Sequence, residues 1–391
     1  MHSKLLPDKP MNKYKNISFF EGLNSLRFFA AFLVVMHHSE TIREKNGLYN
    51  FEWLGLFKNG VNAVVFFFVL SGFLITYLLL KESNKTGTVS VKHFYVKRML
   101  RIWPLYFLLV IIGTLLVPVL FNLLHINYVM PYTFGQTWYY FLFFLPGLVA
   151  FYFGHHLLEP LWSIGIEEVF YLIWAPLFKI GKKKILSILL SIIVIKIVLL
   201  GLAEFWIKDP LFVYVVNIFR FEAMAIGGLG AYFIFHRKEV LSNMLIYKKP
   251  IQILIYSTLI VFLIFQGNVH NVVWRTVFET PILSGILLDF LFLYLIIGVS
   301  LIENNIFKFR QKFLSYLGEI SYGIYMYQLL IIFAVIQFLK KYLMQLSPVV
   351  STLVFYSIVI VTIIAVASVS KVVFENYFLN LKKKVDKSPV R

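Results

Sequence analysis

Ten runs of about twenty mostly apolar residues recur along the 391-residue chain, at roughly 18–39, 61–80, 102–122, 161–180, 185–206, 212–235, 251–268, 281–302, 320–340 and 349–372. A helix of about twenty such residues crosses the hydrocarbon core of a bilayer. Hydrophobic residues make up 60% of the chain and charged residues 14%, against about 25% charged in a soluble domain. The polar surface is too small to cover the protein in water, so lipid must cover part of it. Within lipid a helix satisfies its own backbone hydrogen bonds. The expected class is all-α: a polytopic integral membrane protein with about ten transmembrane helices, residues 18–375, between polar tails at 1–17 and 376–391. No internal repeat, low-complexity tract or domain linker interrupts it.

Charge sets the orientation. The formal charge is +18, but the positive residues sit in short clusters between apolar runs, so a nucleic-acid partner is rejected. Of the 37 Lys and Arg, 27 fall in clusters at 4–15, 81–101, 179–184, 237–249, 308–312 and 371–391. With ten spans these clusters share one side, the pattern of cytoplasmic loops, and both termini are cytoplasmic. Seven, including Arg43 and the Lys340–Lys341 pair, fall on the other side, and Arg27, Lys196 and Arg220 lie inside spans. An eleventh run, 137–154, would reverse every later cluster if it crossed. It contains Pro146, Gly147 and Gly154 and is read as re-entrant or interfacial. The chain has no Cys, which excludes disulfides, thiolate metal sites and a Cys nucleophile. The N-terminal stretch is basic and lacks a small-residue cleavage site, so the first run is expected to be a retained anchor.

Ionisable groups at membrane depth are costly and mark function. Arg27 and His38 are eleven residues apart in the first run, nearly three full helical turns, so both face one way about 16 Å apart along the axis. His37 points away from that face. The fourth run, LWSIGIEEVFYLIW, carries Ser163, Glu167 and Glu168, with Ser163 and Glu167 on one face. Counted from the run's outer end, Glu167 reaches a depth comparable to His38. A His38–Glu167 pair is therefore expected, with the carboxylate orienting an imidazole that acts as general base on a hydroxyl. The alternatives are solvated histidines and a hydrogen bond that only joins helices. Arg220 and Glu222 could pair or line a cavity, and Asp289 is isolated.

Between the second and third runs lies VKHFYVKRMLRIWPLY, with Lys92, Lys97, Arg98 and Arg101. On a helix Arg98 and Arg101 share a face, and guanidinium forks suit phosphate oxygens. The alternative is ordinary cytoplasmic charge meeting anionic lipid.

Five stretches together resemble the acyltransferase family 3 membrane proteins, integral-membrane O-acyltransferases of bacterial surface glycans. They are Arg27 followed by His38 in LNSLRFFAAFLVVMHHSE, FFVLSGFLIT, the Arg98–Met99–Leu100–Arg101 run, LWSIGIEEVFYLIW, and the pair RFEAMAIGGLGAYF with LGEISYGIYMYQ. The likeness covers roughly residues 18–375. It implies an enzyme of the bacterial cytoplasmic (inner) membrane that moves an acyl group, by default acetyl, from cytoplasmic acyl-CoA to a carbohydrate or lipid-linked glycan reached from the opposite side. It implies an essential Arg27–His38 pair with His38 as catalytic base, donor contacts from Arg98 and Arg101, and support from Glu167 or Glu168. Ser163 or His38 could carry an acyl-enzyme, although direct transfer ranks first. Many members carry His where Gln328 stands here, which leaves the acceptor class open. A glycan or lipid-intermediate transporter with a proton relay is the alternative function, and a non-catalytic scaffold a further one. The oligomeric state is not legible.

Overall fold

The computed structural model describes residue 17 and residues 19–126, 128–236, 244–265 and 281–387. The expected N-terminal tail, apart from Ile17, lies outside them, as do Arg275 and part of the basic cluster at 237–249. The described residues form helices and no strand. In chain order these are α1 (Leu23–Lys45), α2 (Gly60–Thr86), α3 (Val91–Ile111, continuing through a π turn to Leu123), α4 (Phe134–Leu142), α5 (Pro146–Phe153), α6 (Leu161–Ile180), α7 (Ile185–Phe205), α8 (Pro210–Ile218), α9 (Phe221–His236), α10 (Lys249–Phe265), α11 (Pro281–Leu301), α12 (Lys312–Glu319), α13 (Ser321–Leu343) and α14 (Pro348–Ser370, continuing through a second π turn into Asn376–Lys387).

Eight helical stretches are long and apolar enough to cross a membrane: α2, extended α3, α6, α7, α8 joined to α9, α11, α13 and extended α14. The protein is an integral membrane protein. Helix α1 has 23 residues, but Arg27, His37, His38 and Glu40 dilute its apolar character. Helix α10 is apolar and has 17 residues, with the residues that follow it lying outside the described ones.

Helices outrun the apolar segments that announce them. The third starts at Val91 rather than 102, so the expected basic loop is helical, and α1 continues to Lys45. Arg43, read from sequence as an outer-loop charge, is fully buried on α1. Its guanidinium bonds Glu40 at 2.8 Å and Thr352 at 2.6 Å and lies over the Phe355 ring, tying α1 to α14.

The run 137–154 is no single span. Helices α4 and α5 meet at a corner where Phe144 takes a positive φ of 57°. The corner packs inside the bundle: the Phe144 ring lies 4.7 Å from Tyr106 and 5.2 Å from Trp103. A Cβ on Gly165 of α6 would come within 2.4 Å of the Phe144 carbonyl oxygen.

The sixth run, expected as one span, breaks at Phe219–Arg220. Lys196 of α7 donates to the freed carbonyls of Val216 and, at 2.7 Å, Phe219. A cation at the C-terminal end of α8 suits the helix dipole and satisfies backbone groups that lipid could not. Pro176 inside α6 has no N–H for the carbonyl four residues back, and Tyr95 of α3 donates to that Leu172 carbonyl instead, at 2.8 Å.

Small residues set the centre of the bundle. A Cβ on Gly72 of α2 would lie 1.9 Å from the Met224 carbonyl oxygen of α9, and one on Gly227 would lie 2.0 Å from that of Val69. The two backbones touch because neither glycine carries a side chain, the usual device for close helix packing in membranes.

Candidate active site

Arg98 and Arg101 project from the first turns of α3. Arg101 is exposed and Arg98 half-buried. The Arg98 guanidinium stands 5.6 Å from the centre of the Phe94 ring and 5.5 Å from that of Tyr171. Stacking on two rings fixes its position while leaving N–H groups for a ligand. Lys97 precedes Arg98 and is half-buried.

Across from them, α6 presents its two adjacent carboxylates in different directions. Glu167 accepts from Ser71 Oγ of α2 at 2.8 Å and from Tyr171 OH at 3.0 Å. Glu168 accepts from Trp103 Nε1 at 2.8 Å, and its other oxygen is buried without a partner. Arg27 of α1 lies within electrostatic reach of Arg101, Arg98 and Glu167, and Nη1 donates to Asn24 Oδ1 at 3.4 Å. Three guanidiniums against two carboxylates leave a positive surplus, which favours an anionic ligand.

The histidines lie farther along α1. Nδ1–H of His37 donates to the Phe57 carbonyl at 2.9 Å, and the two imidazole centres are 5.4 Å apart. Gly60 packs so tightly on His37 that a Cβ there would meet its ring at 2.3 Å. His38 faces Gln328 of α13. The contact falls short of a formed hydrogen bond, so His38 Nδ1 and both amide atoms of Gln328 are buried without partners.

The expected His38–Glu167 pair is therefore not formed. Glu167 belongs to the level of Arg27 and the arginine pair. The depth count from Leu161 misplaced it, because α6 does not start at the surface. Leu161 is 1% exposed, and the carbonyl just before it, Pro160, accepts from Tyr325 OH at 2.9 Å. Ser163 bonds Tyr325 OH at 2.8 Å and the Pro160 carbonyl at 3.3 Å. Among the described residues no His, Asp or Glu bonds that hydroxyl. Ser71 and Tyr171 are site residues that carry no charge to announce them, although Tyr171 stands four residues after Glu167, on its face.

Away from this line, Arg220 Nε donates to Glu222 Oε1 at 2.5 Å and its Nη2 lies 3.7 Å from Asp289, while Lys196 lies 3.5 Å from Glu222. Asp289 is thus not isolated. Among the described residues no group of three His, Asp or Glu gathers as metal ligands.

A polytopic helical bundle with arginines gathered at one level and imidazoles at another defines a membrane protein with ionisable groups buried between its helices. Residues 20–370 match the sequence model of the acyltransferase 3 family, described as an acyltransferase domain, and the chain belongs to that family of acyl-transferring enzymes. A Staphylococcus aureus (strain COL) protein named "Putative O-acetyltransferase" is 32% identical over 168 residues, 42% of this chain and 25% of that protein. The O-acetyltransferase OatA of Staphylococcus aureus (strain NCTC 8325) is 25% identical over 355 residues, 86% of this chain and 54% of OatA. The chain thus spans a quarter of the one relative and about half of the other. No solved structure matches it.

Proposed function

We propose that the protein is an O-acetyltransferase of the bacterial cytoplasmic membrane, taking acetyl from cytoplasmic acetyl-CoA and delivering it to a hydroxyl of a cell-surface or lipid-linked carbohydrate. In this reading α1 and α10 join the eight long apolar helices as spans, giving ten, with both termini cytoplasmic. The one-sided distribution of Lys and Arg supports that orientation, and it places Arg98 and Arg101 towards the cytoplasm and His38 towards the other face.

The observation that carries the reading is the gathering of Arg27, Arg98 and Arg101 around Glu167, with His38 on the same face of α1 about 16 Å farther along. Arg98, Arg101 and Lys97 hold the phosphates of the donor. Its thioester arm passes Arg27 towards His38. His38 takes the proton of the acceptor hydroxyl as that oxygen attacks the thioester carbonyl. A C–O bond forms, the C–S bond breaks, and the proton passes on to the CoA sulfur. A positioned base of this kind is worth about 10²–10⁴-fold. Gln328, rather than a carboxylate, is the neighbour that aligns His38. Glu167 and Glu168 hold the arginine level together. Direct transfer is favoured over an acyl-enzyme at Ser163, whose contacts, Tyr325 and a carbonyl, include no base to take its proton. The printed names of the relatives, O-acetyltransferases, support the acetyl and oxygen parts of the assignment.

Single-turnover assay of purified His38→Ala with acetyl-CoA and acceptor tests this. The expected result is a rate reduced by about 10² or more, with CoA binding intact. A wild-type rate removes His38 from the chemistry. Arg98→Ala and Arg101→Ala are expected to weaken CoA binding, and unchanged binding in both would remove the donor site.

A further inference from the structure

Lys196, Arg220 and Glu222 have no part in the transfer described above, yet they line a cavity of about 160 Å³, with Asp289 behind Arg220 at 3.7 Å. Asn62, Asn217 and Ser284 line it together with Lys196, Arg220 and Glu222. Asn217 is exposed, whereas Lys196 and Glu222 are buried, so the mouth lies at the amides and the floor at the charges.

Two independent observations mark a built site. First, the chain breaks between α8 and α9 beside this cavity. Irregular backbone at membrane depth is tolerated where it is buried in protein or lines a water-filled space, and broken helices of this kind frame substrate sites in other membrane proteins. Second, one acid group at the floor and another behind it have oxygens without hydrogen bonds. Glu222 is 2% exposed, and its Oε2, 3.5 Å from the Lys196 ammonium, has no hydrogen-bond partner. Asp289 is fully buried with neither oxygen hydrogen-bonded. Buried polar atoms without hydrogen bonds call for an explanation, such as a ligand or water.

The chemistry narrows the ligand. Two cations and one carboxylate line it, and each cation is already paired, Lys196 with Glu222 and Arg220 with Glu222 and with Asp289 behind the wall, so no charge stands free for a phosphate or a metal cation. What the walls offer is a mixture of donors and acceptors: amides, a hydroxyl, guanidinium and carboxylate, with the Phe262 ring beside them. That mixture suits an uncharged, hydroxyl-rich molecule. The position is also telling. Asn62 lies two residues from Gly60, which packs on His37, so the mouth opens at the imidazole end of the bundle. The arginine pair gathers at Glu167, which Ser71 bonds about 14 Å farther along α2.

We propose that this cavity is a subsite for an uncharged sugar residue of the acceptor, gripping the glycan beside the unit that is acylated. The proposal rests on the glycan-acceptor reading above. The test uses the full chain in detergent and saturation-transfer NMR with glucose, galactose, N-acetylglucosamine and rhamnose as separate probes, and inorganic phosphate as competitor. At least one sugar is expected to be saturated, and phosphate not to displace it. Ser284→Leu and Asn217→Leu, which fill the mouth, are expected to weaken binding by about tenfold or more, as loss of one or two hydrogen bonds implies. CoA binding is expected to stay at the wild-type value in both variants, which also reports that they are folded. Saturation of none of the four sugars, equal saturation by both variants, or displacement by phosphate overturns the subsite. A wild-type protein that binds sugar but not CoA keeps the subsite and sinks the donor assignment instead.

Discussion

Gln328 stands opposite His38 with a donor and an acceptor that bond nothing, and an amide left in that condition is costly. If it aligns His38, removing the amide costs turnover and not donor affinity. Gln328→Leu is expected to lower kcat by about tenfold, the worth of one hydrogen bond that amide and imidazole complete only when substrate is bound, with the KM for acetyl-CoA unchanged; steady-state kinetics checks this. A second histidine predicts a pH effect. His156, in the turn before α6, accepts from the Leu158 N–H and meets Tyr132 OH at 3.0 Å. Burial pushes its pKa down to about 3 from the usual 6.5. The folded state thus prefers it neutral, and the unfolded chain binds the proton more readily. Its contribution to stability is whole above pH 6.5 and lost progressively as pH falls towards 3. His156→Gln should show a shallower loss of thermal stability across that window, followed by melting in detergent. Much of the site is legible one residue at a time, since Arg27, His38, the arginine pair and Glu167 each stand out as charges in or beside apolar runs. Their pairing is not legible. It depends on where each helix starts in the bundle, and nothing local in LWSIGIEEVFYLIW reveals that Leu161 begins beneath the surface.

At the scale of elements, the apolar runs locate the helices and misjudge their ends. Hydropathy falls where Lys, Arg and Glu appear, but the helix continues as long as those side chains find water or a partner. Val91–Arg101 and Glu40–Lys45 are both helical for that reason. The buried Glu40–Arg43 pair is the test of such an extension. Its oxygens also receive Tyr356 OH and the Phe51 N–H, each at 2.5 Å. Arg43→Ala leaves the carboxylate uncompensated and is expected to destabilise the α1–α14 contact by about 3–5 kcal/mol, measured by equilibrium unfolding in mixed micelles. The break between α8 and α9 escapes a hydropathy count for another reason. VVNIFRFEAM is apolar enough to read as continuous, and only the Lys196 ammonium, twenty residues earlier at Val216, explains how open carbonyls survive there.

At the scale of the molecule, the absence of Cys makes the orientation open to direct test. Single Cys substitutions on this background report the side they face without interference. Lys182→Cys is expected to be labelled by an impermeant maleimide only in inverted membranes, and Lys208→Cys only in intact cells. Thr133→Cys and His155→Cys should be labelled from the same side as each other; opposite sides would make the α4–α5 segment a true crossing and reverse every later loop. The contact of α2 with α9 has a mechanical consequence. Two backbones meeting at Gly72 and Gly227 have no side chains between them to slide or repack, so the pair stands as a rigid pillar. Under the proposed function, any rearrangement that admits the two substrates falls to the helices around that pillar.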